Sequence, residues 1–221
     1  MDKGIDFGQL EQILLFQGMD EEEMALGMEA LSAQAKKYRK GSVILHAGDT
    51  TSRMGIVLSG SVTIESNDMW GNCTILSHVG KNGVFAETYA LMKDTVLPVD
   101  VRANEDCRIL FLSIGKLRQL PPSDSWHMKM ISNLLIISSR KNLVLSGRNF
   151  HTAPKTIRGR ILSYLNTISL QEHAKEFDIP FDRQQLADYL NVERTALSKE
   201  LGKMRKDGII RCRRNHFVLL K

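Results

Sequence analysis

The stretch NVERTALSKELGKMRKDGII, residues 191–210, decides how the carboxy-terminal third of the chain folds. Its apolar residues Leu197, Leu201 and Met204 recur at the spacing of one helix face. The same stretch is strongly basic and carries Arg194, Lys199, Lys203, Arg205 and Lys206. A basic amphipathic helix alone fits a solvated surface as well as a DNA-reading element, so the flanking sequence has to distinguish the two.

The segments on either side of this helix complete a recognisable unit. FDRQQLADYL, residues 181–190, predicts a short helix capped by Asp182, NVE is a three-residue turn, and Gly208 ends the second helix. IIRCRRNHFVLL, residues 209–220, predicts two short strands about an Arg-Asn turn. Two helices joined by a tight turn and followed by a basic hairpin predict a winged helix-turn-helix.

Such a unit assigns two roles to its polar residues. The first two turns of the second helix enter the major groove, which predicts base contacts from Arg194, Thr195, Ser198 and Lys199. Charged or amide side chains farther out suit backbone phosphates, namely Arg183, Gln184, Lys203, Arg211, Arg213 and Arg214. Arg205 and Lys206 are expected to be the solvated end of the helix.

Composition agrees with a DNA-binding end joined to a different body. Residues 151–221 carry a net charge of +6, whereas the first 150 residues carry −1. No run of about 18 apolar residues is present and the amino terminus lacks a secretory pattern, so we expect a cytoplasmic protein without a membrane partner. Three widely spaced cysteines, Cys73, Cys107 and Cys212, argue against a disulfide framework.

The first 120 residues predict a helix followed by an antiparallel β-domain. Asp20, three residues before Glu23, predicts a capping box and a short helix. After Tyr38, short β-branched runs alternate with Gly, Asn and Asp turns, as in a β-sandwich or barrel: GSVILHAGD, GIVLSGSVTIE, CTILSHVG, VDVRAN and CRILFLS. The fold class predicted for the whole chain is therefore α+β.

A long helix is predicted over residues 123–150, with Ser123 or Asp124 as its cap. It would span roughly 40 Å and is apolar on more than one side, so one face can cover the β-domain while another meets a second copy of the chain. A core helix in a monomer is the alternative. FHTAPKT, residues 150–156, predicts a hinge with Pro154 in the first turn of the next helix.

Taken together, these segments resemble the Crp/Fnr family of bacterial transcription regulators over nearly the whole chain. KGSVILHAGD and GIVLSGSVTIE are similar to the family's β-roll signature, and FDRQQLADYLNVERTALSKELGKMRKDGII is similar to its helix-turn-helix. The resemblance implies an effector-binding β-roll domain with an N-terminal helix at 1–122, a long dimerisation helix at 123–150, and a winged helix-turn-helix DNA-binding domain at 151–221. It implies a homodimer on a two-fold-symmetric operator, with RNA polymerase as a further partner of an activator.

The resemblance also bears on the effector. Members that bind cyclic AMP hold its phosphate with an Arg-Ser pair, where this chain has Leu97 and Pro98, so the pattern argues against cyclic AMP. Gly83 and Glu87 match the remaining cyclic-nucleotide motif, and Asn142 and Ser146 on the long helix are candidates to close an effector pocket. The small-molecule effector itself stays unidentified.

Cofactor and enzyme chemistry find little support. Cys73 and His78 lie where a haem-binding branch has its ligands, but their spacing argues against haem, and Cys212 with His216 gives two ligands and no metal site. No catalytic arrangement of nucleophile, base and orienting residue is present, so we expect no enzyme. The competing hypothesis is a small-molecule-sensing signalling module whose helix-turn-helix serves protein contacts or is no longer functional.

Overall fold

The computed structural model describes residues 6–67, 73–92, 94–120 and 125–220, with the side chains of residues 67 and 73–75 left out. Its contacts divide the chain into two compact units, residues 1–138 and 139–221. The boundary falls inside the predicted long helix. No helix in the described ranges is both long and apolar enough to cross a membrane.

The first unit begins with two helices, α1 (Phe7–Glu11) and α2 (Glu21–Ala30). The predicted capping box is confirmed: the Asp20 carboxylate accepts from the Glu23 backbone N–H at 2.9 Å, and the Asp20 N–H donates to the Glu23 carboxylate at 3.1 Å. These bonds satisfy two amide donors that the first helical turn would otherwise leave unpaired.

Two four-stranded antiparallel sheets and one short helix form the body of this unit. One sheet has the order β1-β8-β3-β6 and the other β2-β7-β4-β5. The elements, in chain order, are β1 (Gln34–Tyr38), β2 (Val43–Leu45), β3 (Met54–Ser59), β4 (Val62–Asn67), β5 (Cys73–Val79), β6 (Val84–Phe85), α3 (Glu87–Leu91), β7 (Asp100–Ala103) and β8 (Cys107–Leu112). Val57, Val62, Phe85, Val101 and Ile109 are among the core residues between the sheets.

The predicted β-branched runs correspond to β2, β3, β4, β5, β7 and β8, which confirms the antiparallel β-domain. Two strands were missed. β1 is an edge strand with the sequence QAKKY, and its polar side chains are exposed, so it lacks the apolar alternation that marks a strand. β6 is only two residues long.

The long helix α4 runs from Ser125 to Thr152. In the first unit it buries Trp126, Met130, Leu134 and Ile137 in the core that also contains the N-terminal helices. The buried Asn133 amide donates to the carbonyls of Leu15 at 3.0 Å and Gln17 at 2.9 Å. Because these bonds satisfy a polar group at the centre of an apolar contact, they fix how this part of α4 lies on the N-terminal helices.

The ends of the predicted long helix need correction. Ser123 and Asp124, the predicted caps, lie outside the described residues. At the other end α4 continues to Thr152, whose hydroxyl donates back to the Arg148 carbonyl at 2.9 Å. Pro154 lies before the next helix and not in its first turn, because Thr156 is the N-cap and accepts from the Gly159 N–H. The hinge is thus shorter than predicted.

The second unit contains three further helices and a three-stranded antiparallel sheet of order β10-β11-β9. Its elements are α5 (Ile157–Glu172), β9 (Glu176–Asp178), α6 (Arg183–Tyr189), α7 (Arg194–Lys206), β10 (Ile210–Arg213) and β11 (His216–Leu219). The predicted helix-turn-helix and hairpin are confirmed, whereas β9 was missed. The core of this unit includes Ile161, Leu165, Leu186, Leu197, Leu201, Met204 and Phe217.

Candidate nucleic-acid interface

Helix α7 has a buried apolar face and an exposed polar face. Leu197, Leu201 and Met204 are almost fully buried in the core of the second unit. The four predicted base-reading residues are all exposed on the remaining surface of the first two turns: Arg194, Thr195, Ser198 and Lys199. Arg194 and Lys199 make no hydrogen bond or ion pair with another described residue, so both are available to a ligand.

Local sequence explains how α7 is placed after α6. Asp182 starts α6 with a capping box to Gln185, at 2.8 and 2.9 Å. Asn191 has φ of 53° in the turn between the helices, a left-handed conformation that Asn tolerates better than most residues. Gly208, with φ of 65°, ends α7 in the same way. The turn and both helix ends therefore follow from short-range chemistry.

A surface cleft of about 700 Å³ lies beside the exposed face of α7. Three guanidinium-bearing residues line it, namely Arg183, Arg194 and Arg214, together with Gln184. They come from three elements: the start of α6, the start of α7 and the turn of the hairpin. This concentration of positive charge around a concave surface suits an anionic group such as a phosphate.

Arg183 shows the most specific geometry in this cleft. Its guanidinium carbon lies 5.2 Å from the centre of the Phe217 ring, and Nη2 is 3.7 Å from the Cys212 sulfur. Nη1 is buried and has no hydrogen-bond partner among the described residues. A buried donor without a partner is costly, so an acceptor oxygen placed within reach of Nη1 would be stabilised.

The hairpin carries the remaining predicted phosphate contacts. Arg211, Arg213 and Arg214 are exposed on β10 and in the turn, where Arg214 has φ of 53°. The hairpin is held from the other side by β9, which pairs with β11. The sheet therefore presents three guanidinium groups from a backbone that is hydrogen-bonded along both edges of β11.

An acidic pair on β9 restrains His216 in the hairpin. The His216 ring nitrogens lie 3.1 Å from Asp178 Oδ1 and 3.1 Å from Glu176 Oε1. Hydrogen bonds to Asp178 and then Glu176 raise the pKa of His216 above its ordinary value. His216 is thus engaged with carboxylates and not with Cys212, and no cluster of three or more His, Cys, Asp or Glu that could hold a metal ion occurs in the described ranges.

Some predicted contact residues already have partners within the unit. Lys203 Nζ lies 3.8 Å from Glu200 Oε2, and Gln184 Nε2 donates to Asp188 Oδ1 at 2.9 Å. The Thr195 hydroxyl donates to Glu193 Oε1 at 2.6 Å. These contacts are exposed and individually weak, so a phosphate or a base edge can compete with them.

Three arginines of α4 and α5 were not singled out from the sequence. Arg148 and Arg160 both donate to backbone carbonyls where α6 ends. Arg158, also on α5, pairs with Glu200 of α7 at 2.6 Å and with Asp207, the residue that caps the end of α7, at 2.8 Å. No periodicity in the sequence marks such residues, because their partners are backbone atoms or side chains many positions away.

The predicted effector-pocket residues fall in both units. In the first, Glu87 is buried at the start of α3, Leu97 is buried, and Pro98 is exposed. Gly83 precedes β6, and its N–H donates to the Gly80 carbonyl at 3.0 Å.

The other two candidates, Asn142 and Ser146, are exposed on α4 in the second unit, where the Ser146 hydroxyl donates to Asn142 Oδ1 at 3.4 Å. Of the suggested haem pair, the Cys73 side chain lies outside the described residues, and His78 Nδ1 is 3.2 Å from the Asn104 amide nitrogen.

Comparison with known proteins agrees with both halves of this description. The family model for a cyclic nucleotide-binding domain matches residues 35–123, and the model for a Crp-like helix-turn-helix domain matches residues 159–221. The cAMP-activated global transcriptional regulator Vfr of Pseudomonas aeruginosa is 23% identical over 182 residues, covering 79% of this chain and 84% of the relative. The transcriptional activator FnrL of Cereibacter sphaeroides is 23% identical over 193 residues, covering 79% and 71%.

Solved structures show the same fold at low sequence identity. CprK in complex with OCPA has a TM-score of 0.66 and 16% identity, covering 90% of this chain and 92% of that one. The c-di-GMP-responsive regulator CLP of Xanthomonas campestris has a TM-score of 0.59 and 19% identity, covering 98% and 100%. With both domains matched in this order on one chain and a continuous helix between them, the protein belongs to the Crp/Fnr family of DNA-binding transcription regulators.

Proposed function

We propose that this regulator is a homodimer that binds a two-fold-symmetric operator with two copies of α7, under the control of a small molecule bound in the β-roll. The observation that carries the proposal is the exposed polar face of α7 beside a cleft lined by three arginines. A solvated basic helix has no need of such a cleft. The proposal places the protein in the cytoplasm, where bacterial DNA lies, and includes no catalytic step.

Base recognition is assigned to the first two turns of α7. Arg194 can donate two parallel hydrogen bonds to O6 and N7 of guanine, which is worth about 1–3 kcal/mol of discrimination. Lys199, five residues later, reaches a second guanine or a phosphate. Thr195 and Ser198 offer hydroxyls, and Thr195 also offers a methyl group that can contact thymine.

The phosphate contacts are assigned to the cleft and the hairpin. The buried Nη1 of Arg183 supports one such contact, because a phosphate oxygen would supply the acceptor that it lacks. The other proposed contacts are made by Gln184, Lys203, Arg211, Arg213 and Arg214. These contacts set affinity and its salt dependence, and they are insensitive to sequence.

Dimerisation is assigned to α4, the predicted 123–150 segment. Met128, Ile131, Leu135 and Leu145 are exposed apolar residues, between 39% and 67% accessible, at spacings that keep them on one side of a helix. A second copy of the same face would cover them. Two winged helices related by this two-fold axis would address half-sites about 34 Å apart, one turn of B-DNA.

The effector site is proposed to lie within the β-roll and not to accept cyclic AMP. Leu97 is 1% exposed where the family's cyclic-AMP-binding members have arginine. A cyclic phosphate there would meet a buried aliphatic side chain instead of a cation, and it would lose several kcal/mol of pairing. Glu87 and Gly83 are retained as polar contacts for a different ligand, and neither haem nor a metal is part of the proposal.

The effector would act by shifting the dimer between two arrangements of its winged helices, only one of which fits the half-site spacing. If that state activates transcription, RNA polymerase is the further partner.

In vitro selection from a randomised duplex library tests the DNA-binding proposal directly. The full chain should enrich a palindromic sequence and prefer it over random DNA in a salt-dependent manner. Arg194→Ala should relax the preference at one base pair of each half-site, whereas Arg205→Ala, at the far end of α7, should not. Failure to enrich any sequence would favour the competing signalling module that uses its helix-turn-helix for protein contacts.

A further inference from the structure

The end of α6 receives an unusual number of cationic donors. The carbonyls of four consecutive residues, Asp188, Tyr189, Leu190 and Asn191, each accept an N–H from an arginine side chain. One arginine belongs to α4 and the other to α5. These carbonyls lie where α6 gives way to the turn that leads into α7.

Arg148 makes the connection from α4. Its Nε donates to the Tyr189 carbonyl at 3.3 Å and its Nη2 to the Asp188 carbonyl at 3.2 Å. The guanidinium carbon also lies 5.9 Å from the centre of the Tyr189 ring. A planar fork that donates to two adjacent carbonyls while lying near an aromatic ring specifies direction as well as distance, which an ammonium group cannot do.

His151, one turn after Arg148, contacts the same residue of α6. Its Nδ1 lies 2.9 Å from the Tyr189 hydroxyl and its Nε2 3.0 Å from the Thr167 hydroxyl of α5. The ring is 4% exposed. The last turn of α4 is therefore attached to α6 through both the backbone and the side chain of Tyr189.

Arg160 holds the following residues from α5. Its Nη1 donates to the carbonyls of Leu190 at 3.1 Å and Asn191 at 2.9 Å, and its Nε donates to the Pro154 carbonyl at 2.9 Å. Together the two guanidinium groups place positive charge at the negative end of α6, where the last carbonyls have no helical partner.

The position of these contacts gives them a consequence for α7. Only four residues separate Tyr189 from Arg194, the first residue of α7, and the backbone of the intervening turn is held by left-handed Asn191. A short turn whose carbonyls are hydrogen-bonded has little freedom to absorb a displacement. A movement of the end of α4 would therefore pass to the start of α7.

We propose that Arg148 is a positioning residue for DNA recognition, which ties the end of the dimerisation helix α4 to the turn before α7 and so sets the orientation of the base-reading face. The inference rests on the proposed function, and it adds the specific contact through which α4 acts on α7. Arg148 touches no base in this role, because its Nε and Nη2 donate to the protein's own carbonyls.

The test measures binding of full-length variants to the duplex that the wild-type protein enriches from a randomised library. Arg148→Ala should weaken specific binding about tenfold, a coupling of ordinary size for residues that link two sites. The slope of affinity against salt and the selected sequence should both stay as in the wild type. Arg148→Lys, which keeps the charge but loses the fork, should also weaken binding.

Arg140→Ala is the matched control. Arg140 is exposed on the same helix and has the same charge, but it makes no hydrogen bond or ion pair with any residue that the structure describes. Its substitution should leave the affinity unchanged. Melting curves, recorded by circular dichroism, should show that both Arg148 variants are folded at the temperature of the binding assay. If Arg148→Ala is unfolded there, the binding test is made with Arg148→Lys alone.

Three results would overturn the proposal. A salt slope reduced by roughly 2 for the Arg148→Ala dimer would make Arg148 a phosphate contact, one from each copy. If both folded Arg148 variants bound the duplex with wild-type affinity, Arg148 would have no positioning role. If Arg140→Ala lost as much affinity as Arg148→Ala, the loss would be explained by net charge alone. If the wild-type protein enriched no sequence at all, the proposed function would fail, which is a separate outcome from these three.

Discussion

Replacing Leu135 with alanine should weaken dimerisation through α4. The side chain is 67% exposed in the single chain, and full burial of a leucine is worth about 1.5–3 kcal/mol. Covering the exposed two thirds would contribute about 1–2 kcal/mol per copy, and a two-fold interface contains the residue twice, so the loss is about 2–4 kcal/mol. At 1.4 kcal/mol per factor of ten, the dimer dissociation constant should increase by a factor between about 30 and several hundred.

Sedimentation equilibrium over a range of protein concentrations measures this dissociation constant. Leu170→Ala is the control, because Leu170 is 75% exposed but belongs to α5, which is not part of the proposed interface. It should leave the constant unchanged. An unchanged constant for Leu135→Ala, or an equal increase for Leu170→Ala, would refute the assignment of the dimer interface to this face of α4.

Three further predictions concern the DNA, effector and hinge regions. Arg194→Ala should cost about 1–3 kcal/mol of discrimination at one base pair of each half-site, measured with single-substitution operator duplexes, and equal losses on all duplexes would assign the residue to phosphates. Cyclic AMP should leave the melting temperature of the wild-type chain unchanged, because Leu97 and Pro98 supply no phosphate ligand, and a rise with nucleotide concentration would contradict this. Burial lowers the pKa of His151 below its ordinary value of 6.5, so the unfolded ring takes up a proton first and the free energy of unfolding should fall as the pH drops below about 6.5. Urea denaturation at pH 7.5 and 5.5 measures this fall, in a background that lacks His216 because the raised pKa of His216 acts in the opposite direction. In that background the free energy of unfolding should fall less for His151→Asn than for the chain that retains His151. Equal falls in the two proteins would exclude His151 as the cause.

Local patterns predicted those elements whose stability depends on neighbouring residues. The capping box at Asp20, the helix cap at Asp182, the turn at residues 191–193 and the helix end at Gly208 all involve contacts within a few positions. The apolar spacing of Leu197 and its neighbours predicted the buried face of α7, and the opposite exposed face followed from it.

Elements that depend on distant partners were missed or misplaced. β1 is a polar strand that exists because β8 pairs with it, and β9 becomes a strand only beside β11. The end of α4 was predicted two residues early because its last turn is stabilised by Tyr189, far away in the sequence.

The candidate site divides in the same way. The sequence by itself determined which face of α7 is buried, since a helical period of 3.6 places the apolar residues on one side. Only the tertiary structure decided that Arg183, Arg194 and Arg214 share one cleft, that the Arg183 Nη1 is buried without a partner, and that Arg148 reaches the end of α6. These relations join residues up to about 40 positions apart through backbone carbonyls and aromatic rings, and no local period records such contacts because packing alone brings the groups together.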